Sequence, residues 1–156
     1  MNSNFPAPFG TCPALRAAIV PRWAIIKMAR TQSVAEHSFN VAMITRAILS
    51  NFIKDQLGDN AIIVKALDHD WKDEIYTGDI PSPAKPVNIP LAQEDRIIKL
   101  ADVIEAYIFA RQNCSDSNSV RNWVLAGLQA NINGLAASLG IENIWLFICN
   151  IGGIDE

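Results

Sequence analysis

The chain has two histidines, and both stand where an imidazole suits metal ligation or proton transfer. In the stretch ALDHDWKDEIYTGDIPSPAKP, His69 is flanked by Asp68 and Asp70, and Asp73, Glu74 and Asp79 follow closely. His37 falls on an apolar helical stripe between Val34 and Val41. Asp102 falls on another, beneath Ile98 and in register with Glu105. Asp70 comes after the apolar run AIIVKAL, one helical step from Ala66 and Leu67. A carboxylate at such a position is costly unless paired or metal-bound, whereas a lone inward histidine needs no more than a hydrogen-bond partner. One shared metal ion answers all three anomalies. Two imidazole nitrogens from His37 and His69 and two carboxylates from Asp70 and Asp102 make a mixed N/O site suited to Mn, Fe, Co or Zn. Neighbours on a helix lie about 100° apart, so His69 and Asp70 can both reach an ion at the helix edge. Open positions would remain for water and a phosphate oxygen.

Helices must carry these residues, because the apolar periodicity is helical almost throughout. Ser33 and Glu36 have capping-box spacing. From there Val34, His37, Val41, Ile44, Ile48 and Phe52 recur at three- and four-residue steps, and Gly58 suits a helix stop. Asp59 or Asn60 can cap a second helix through AIIVKALDHDW. IPLAQEDRIIKLADVIEAYIFARQ reads as a third, with Pro90 in its first turn. The serines of CSDSNS cap a fourth, Val120 to about Ser138, and IENIWLFICNI forms a short last helix. An earlier helix is expected over Pro13 to Val20. Pro81, Pro83, Pro86 and Pro90 stiffen a loop inside the domain. No segment alternates as a strand between hairpin turns. The expectation is an all-α, single compact helical domain over residues 1–156.

Composition narrows the function classes. With 156 residues, 50% of them hydrophobic, the chain can bury one sizeable core. A net charge of −3 argues against a nucleic-acid polymer as partner, since phosphate backbones call for a basic stripe. Cys12, Cys114 and Cys149 are scattered and odd in number, which fits a reducing compartment. MNSNFPAPFGTCP lacks the basic and apolar regions of a signal peptide. No apolar run approaches the roughly 20 residues of a membrane span. A cytoplasmic protein without a membrane partner is expected.

The residues match a known pattern. His37, His69-Asp70 and Asp102 resemble the H…HD…D signature of the HD-domain phosphohydrolases. RW at 22–23, RTQSVAEHSFNVA at 30–42, HD…TGDIPSP at 69–83 and ADVIEAY at 101–107 are similar to the HD-domain 5′-deoxynucleotidases and their phage-type dATP triphosphohydrolase relatives. The resemblance implies an HD-domain helical bundle, with His37, His69, Asp70 and Asp102 as ligands to Co, Mn, Zn or Fe. It makes Glu74 the acid/base carboxylate and has Asp79 shape the sugar side or assist the attacking water. Arg22 would clamp phosphate, Trp23 would stack on the base, and Lys85, Lys27 and Arg30 could meet a longer phosphate chain. One departure stands: Asp73 occupies the family's catalytic spacing from the histidine, while Glu74 keeps its spacing to Asp79. Glu105 could hydrogen-bond a ligand histidine or cap a surface face.

The resemblance also bears on the substrate. In Arg22-Trp23-Ala24-Ile25, Ile25 stands where the phage-type enzymes place an isoleucine against a purine's 2-amino position. A branched apolar side chain there would reject guanine and 2-aminoadenine, whose amino group would lose its partner. The implied activity is hydrolysis of dATP to deoxyadenosine and phosphate, depleting dATP in the host cytoplasm for a virus that uses 2-aminoadenine. A 5′-deoxynucleotidase acting on dNMPs is the alternative. Hydrolysis of guanosine tetraphosphate or cyclic dinucleotides fits the RW and TGD contexts less well, and a non-catalytic metal- or nucleotide-binding module is the remaining reading. A homo-oligomer, dimer or hexamer, is expected from the relatives and from the apolar last helix.

Overall fold

The computed structural model describes residues 20–23, 25–53, 59–70 and 92–154. Among these residues the chain forms α1 (Val34–Phe52), α2 (Asp59–Leu67), α3 (Gln93–Asn113), α4 (Asn118–Ser138) and α5 (Ile144–Gly152). They contain no strand, only isolated bridges pairing Pro21 with Ser33 and Met28 with Cys114. The fold is all-α. No helix of the described residues is long and apolar enough to cross a membrane.

Helix α3 is the axis of the bundle, packed against α1 on one side and α4 on another, with α2 leaning on α1. Ile97, Leu100, Ala101, Ile104 and Ala110 of α3 are wholly buried, meeting Val41 and Ile48 of α1 and Ile148 of α5 in one apolar cluster. Each fully buried large aliphatic side chain stabilises the fold by about 1.5–3 kcal/mol relative to exposure. Burial of α3 on nearly all sides explains why a carboxylate such as Glu105, only 4% exposed, must be fully partnered.

Ser33 caps α1 as its spacing predicts, its Oγ accepting the Glu36 N–H at 3.1 Å. The reciprocal half of the capping box is absent, because the Glu36 carboxylate is drawn off by the Arg30 guanidinium at 2.6 and 3.0 Å. The second helix is shorter than expected. It ends at Leu67, and residues 68–70 form a turn, so His69 and Asp70 follow the helix rather than ride on it. Its first described residues, Asp59 and Asn60, are helical, and the residues just before them lie outside the described ones. The third helix also starts later than its sequence suggests. Ala92, at φ −53° and ψ 155°, is extended, so the helix begins at Gln93, with Glu94 and Asp95 against its N-terminal dipole. Pro90 lies outside the described residues, as does the helix expected over 13–19, and Val20 is non-helical, its carbonyl accepting the Val34 N–H at 2.9 Å. Helix α4 starts at Asn118 with Ser117 as its cap. It closes through Gly140, whose φ of +67° lets the Ile141 N–H return to the Ala136 carbonyl.

Candidate metal centre

The centre is assembled from α1, the turn after α2, and α3. His37, one turn into α1, is 0% exposed, and its two ring nitrogens meet different surroundings. Nδ1 lies 2.6 Å from Oε2 of Glu105. Nε2 lies 3.2 Å from Asp70 Oδ2 and 3.3 Å from Asp102 Oδ1, with neither contact aligned as a hydrogen bond. His69 repeats the arrangement from the turn. Its Nδ1 lies 2.6 Å from the Ala66 carbonyl, while Nε2 faces Asp70 Oδ1 at 3.1 Å and Asp102 Oδ1 at 4.0 Å.

Donor chemistry then fixes the tautomers. A carbonyl only accepts, so His69 must donate from Nδ1. Glu105 is surrounded by donors: its Oε1 takes the amides of Gln32 and of Asn40, so Oε2 accepts from His37 Nδ1–H. Both imidazoles therefore donate from Nδ1 and turn their Nε2 atoms toward one point. This local chemistry also explains the end of α2. The His69 ring folds back onto the carbonyl of Ala66, satisfying a helix-terminal acceptor and swinging Nε2 toward the cluster.

The fit to a cation follows from these atoms. Among the described residues, His37 Nε2, His69 Nε2 and Asp70 Oδ2 are buried yet find no hydrogen-bond partner. Ligand atoms of His37, His69 and Asp70 lie within 4.8 Å of one another. Ligands about 2.1 Å from a common ion stand about 3.0–3.4 Å apart, which matches the 3.1–3.3 Å separations of the three closest pairs. Orphaned lone pairs and carboxylates crowded together are expensive without a cation, and the mixed N/O set suits a transition metal.

Electrostatics point the same way. Burial opposes charge on His37, but the carboxylates of Asp102, Asp70 and Glu105 outweigh it and raise the imidazole to about 10. Burial pushes Asp102 up, yet His37 and Lys99 hold it well below the usual carboxylate range. Asp70 is likewise buried but lowered, by His37, His69 and Arg22. Lys99 bonds Asp102 Oδ2 and leaves Oδ1 turned to the imidazoles. A cleft of about 660 Å³ runs past Val64, Asp68, His69, Ile98, Lys99 and Asp102.

Of the substrate residues suggested by the sequence, Arg22 sits at the cluster, its Nη1 3.6 Å from Asp70 Oδ2. Trp23 is half-buried, stacked on Phe109 with ring centroids 6.1 Å apart, and its indole N–H donates to Gln32. Ile25 is 95% exposed. Arg30 is committed to Glu36 and lies over the Phe109 ring. Glu74, its competitor Asp73, Asp79 and Lys85 lie outside the described residues. Glu105 belongs to the site, hydrogen-bonding His37, a candidate ligand, and does not cap a surface. Sequence reasoning missed Gln32, Asn40 and Lys99. Asn40 and Lys99 were within reach, each three helical residues from a candidate ligand. Gln32, preceding α1, carries no periodic signal.

A model of the YfbR-like 5′-deoxynucleotidase family matches residues 14–94. The 5′-deoxynucleotidases YfbR of Salmonella arizonae and Salmonella newport are each 37% identical over 89 residues, covering 54% of this chain and 43% of theirs. The chain thus spans less than half the length of these curated relatives. The fold resembles that of the HD phosphohydrolase DatZ of cyanophage S-2L, solved with dA and one catalytic Zn²⁺, at a TM-score of 0.62 and 21% identity. That likeness covers 83% of this chain and 94% of the phage protein, and it speaks to the fold. With the family match running through the RW, His37 and His69-Asp70 segments, the chain belongs to the YfbR-like 5′-deoxynucleotidase family.

Proposed function

We propose that the protein is a metal-dependent phosphohydrolase of deoxynucleotides. The observation that carries this is the meeting of two imidazole Nε2 atoms, without hydrogen-bond partners among the described residues, with Asp70 and Asp102. His37, His69, Asp70 and Asp102 would hold the ion. A divalent cation there supplies Lewis acidity, acidifying water and neutralising phosphate charge. Arg22, beside Asp70, fits phosphate oxygens through its planar fork. Trp23 offers its ring to the base. Glu74, rather than Asp73, exchanges the proton, Asp79 flanks the sugar, and Lys85 meets the outer phosphates.

Within that class we take dATP as the substrate, converted to deoxyadenosine and phosphate. Ile25, two residues after Trp23 and exposed, is available to a purine edge and has no partner for a 2-amino group. The phage neighbour bound to dA supports the same choice, and depletion of dATP would serve a virus that uses 2-aminoadenine. The family and its curated members favour the second reading, hydrolysis of dNMPs. Incubating protein loaded with Zn, Mn or Co with all four dNTPs and dNMPs separates them. Release of deoxyadenosine from dATP in preference to dGTP is expected. Equal turnover of dGTP would remove the role of Ile25, and turnover of monophosphates alone would establish the 5′-deoxynucleotidase. Phe39, Met43, Leu146 and Ile151 are exposed large hydrophobics, which supports a homo-oligomer; sedimentation gives its size.

A further inference from the structure

We propose that Gln32 is a positioning residue that ties the nucleoside-contacting segment to the metal centre through one hydrogen-bonded chain of fixed polarity. The inference rests on the reading of His37 as a metal ligand and Trp23 as a substrate contact. Gln32 is 0% exposed, and its amide oxygen and amide nitrogen are each engaged in a direction that chemistry dictates. The Trp23 indole N–H can only donate, so the atom it meets at 3.1 Å must be the amide oxygen of Gln32. The amide NH₂ then faces Glu105, which as a carboxylate can only accept. With Asn40 donating to the same oxygen at 3.1 Å, the other oxygen of Glu105 accepts from His37 Nδ1. His37 is thereby held by Nδ1, with Nε2 turned toward Asp70 and Asp102.

The backbone of Gln32 holds the other end. Its carbonyl accepts the Arg22 N–H at 2.8 Å. One residue therefore clamps both Arg22 and Trp23, and does so where the chain is strained: Trp23 has φ +62°. A bulky residue in the left-handed region costs on the order of 1–3 kcal/mol and persists only where its surroundings enforce it. The indole bond to Gln32 and the stack on Phe109 supply that enforcement. Loosening Gln32 should release Trp23 at one end and the His37 tautomer at the other, although Gln32 touches neither metal nor substrate.

The test measures metal binding directly, by chelator competition and by the visible spectrum of the cobalt-loaded protein. Gln32→Met keeps the volume and removes both polar ends. It should weaken metal binding about tenfold or more, the range seen when a partner of a metal-bound histidine is lost. The variant should also shift the cobalt bands and raise KM for the nucleotide at saturating metal. Trp23→Phe keeps a stacking ring and removes only the N–H. It should weaken metal binding several-fold, which a residue that merely stacks on a base would not do. Trp145→Phe, which removes an indole bond to Asn133 that has no link to the Gln32 chain, should leave metal affinity unchanged. If Gln32→Met unfolds, Trp23→Phe carries the test. Wild-type metal affinity and cobalt bands in Trp23→Phe would overturn the coupling and leave the functional reading standing. A wild-type protein that binds no divalent metal would overturn both.

Discussion

His37 is held by one nitrogen so that the other can act. A histidine whose Nδ1–H is fixed by a carboxylate is a stronger and better oriented ligand at Nε2. Glu105→Gln therefore does more than remove a charge. An amide can still accept from His37, but its NH₂ then confronts the donors of Gln32 and Asn40. Metal affinity should fall roughly 10–100-fold, read by metal content after dialysis against a weak chelator. The pKa of His37 sets a second expectation. Because it is raised to about 10, binding at Nε2 must displace a proton throughout the neutral range. Metal affinity should rise with pH, by about tenfold per unit for a one-proton exchange, with proton release visible in calorimetry in buffers of different ionisation enthalpy. An affinity flat from pH 6 to 9 would contradict it. Of the four candidate ligands, His37 and Asp102 were legible in the sequence because each interrupts an apolar stripe, and His69 and Asp70 because an imidazole and a carboxylate follow directly on an apolar run. Gln32 was not legible, since a loop residue has no stripe to interrupt and its burial is decided by α3, far along the chain.

Helix boundaries decide whether those side chains meet. The start of α1 is fixed by Ser33, whose hydroxyl satisfies the Glu36 N–H one turn before His37 is reached. Ser33→Ala should destabilise the protein by about 1 kcal/mol, lowering the melting temperature by about 3 °C for a chain of this size. Since Arg30 already holds Glu36, no return bond from Glu36 to the cap is available to soften the loss. The end of α2 was misread from the sequence for a physical reason. Ala66, Leu67 and the residues after them continue the helical period, and periodicity does not register a side chain that bonds backward to its own helix. The His69 ring does so at Ala66, and from the turn that follows α2 both His69 and Asp70 reach the cluster. Helix α3 was placed correctly but begun too early, as apolar residues ahead of Gln93 resemble helix until the extended backbone of Ala92 is known.

At the scale of the molecule, the three elements bearing His37, His69-Asp70 and Asp102 are far apart in sequence and are joined at one point by side chains that repel or lack partners without a cation. Their pairings with each other give the stripped protein a limited pH range of support. The raised His37 contributes stability that is complete below its ordinary value of 6.5 and is lost as pH rises through about 10. The lowered Asp70 and Asp102 contribute stability that is complete above 3.8 and is lost as pH falls through their depressed values. A bound ion replaces this arrangement and acts on the whole fold, because it binds the assembled helices and not the unfolded chain. At a free metal concentration about 100 times the dissociation constant, the gain is about 2.7 kcal/mol, or roughly 5–10 °C in melting temperature. Removal of the metal with a chelator should produce that drop, and the drop should be larger at pH 8 than at pH 6, where protons compete for His37 Nε2. His69→Ala should abolish the metal-dependent shift while α1, α3 and α4 still pack, since their core contains no histidine other than His37. A melting temperature indifferent to metal at both pH values would mean that the three elements do not share an ion.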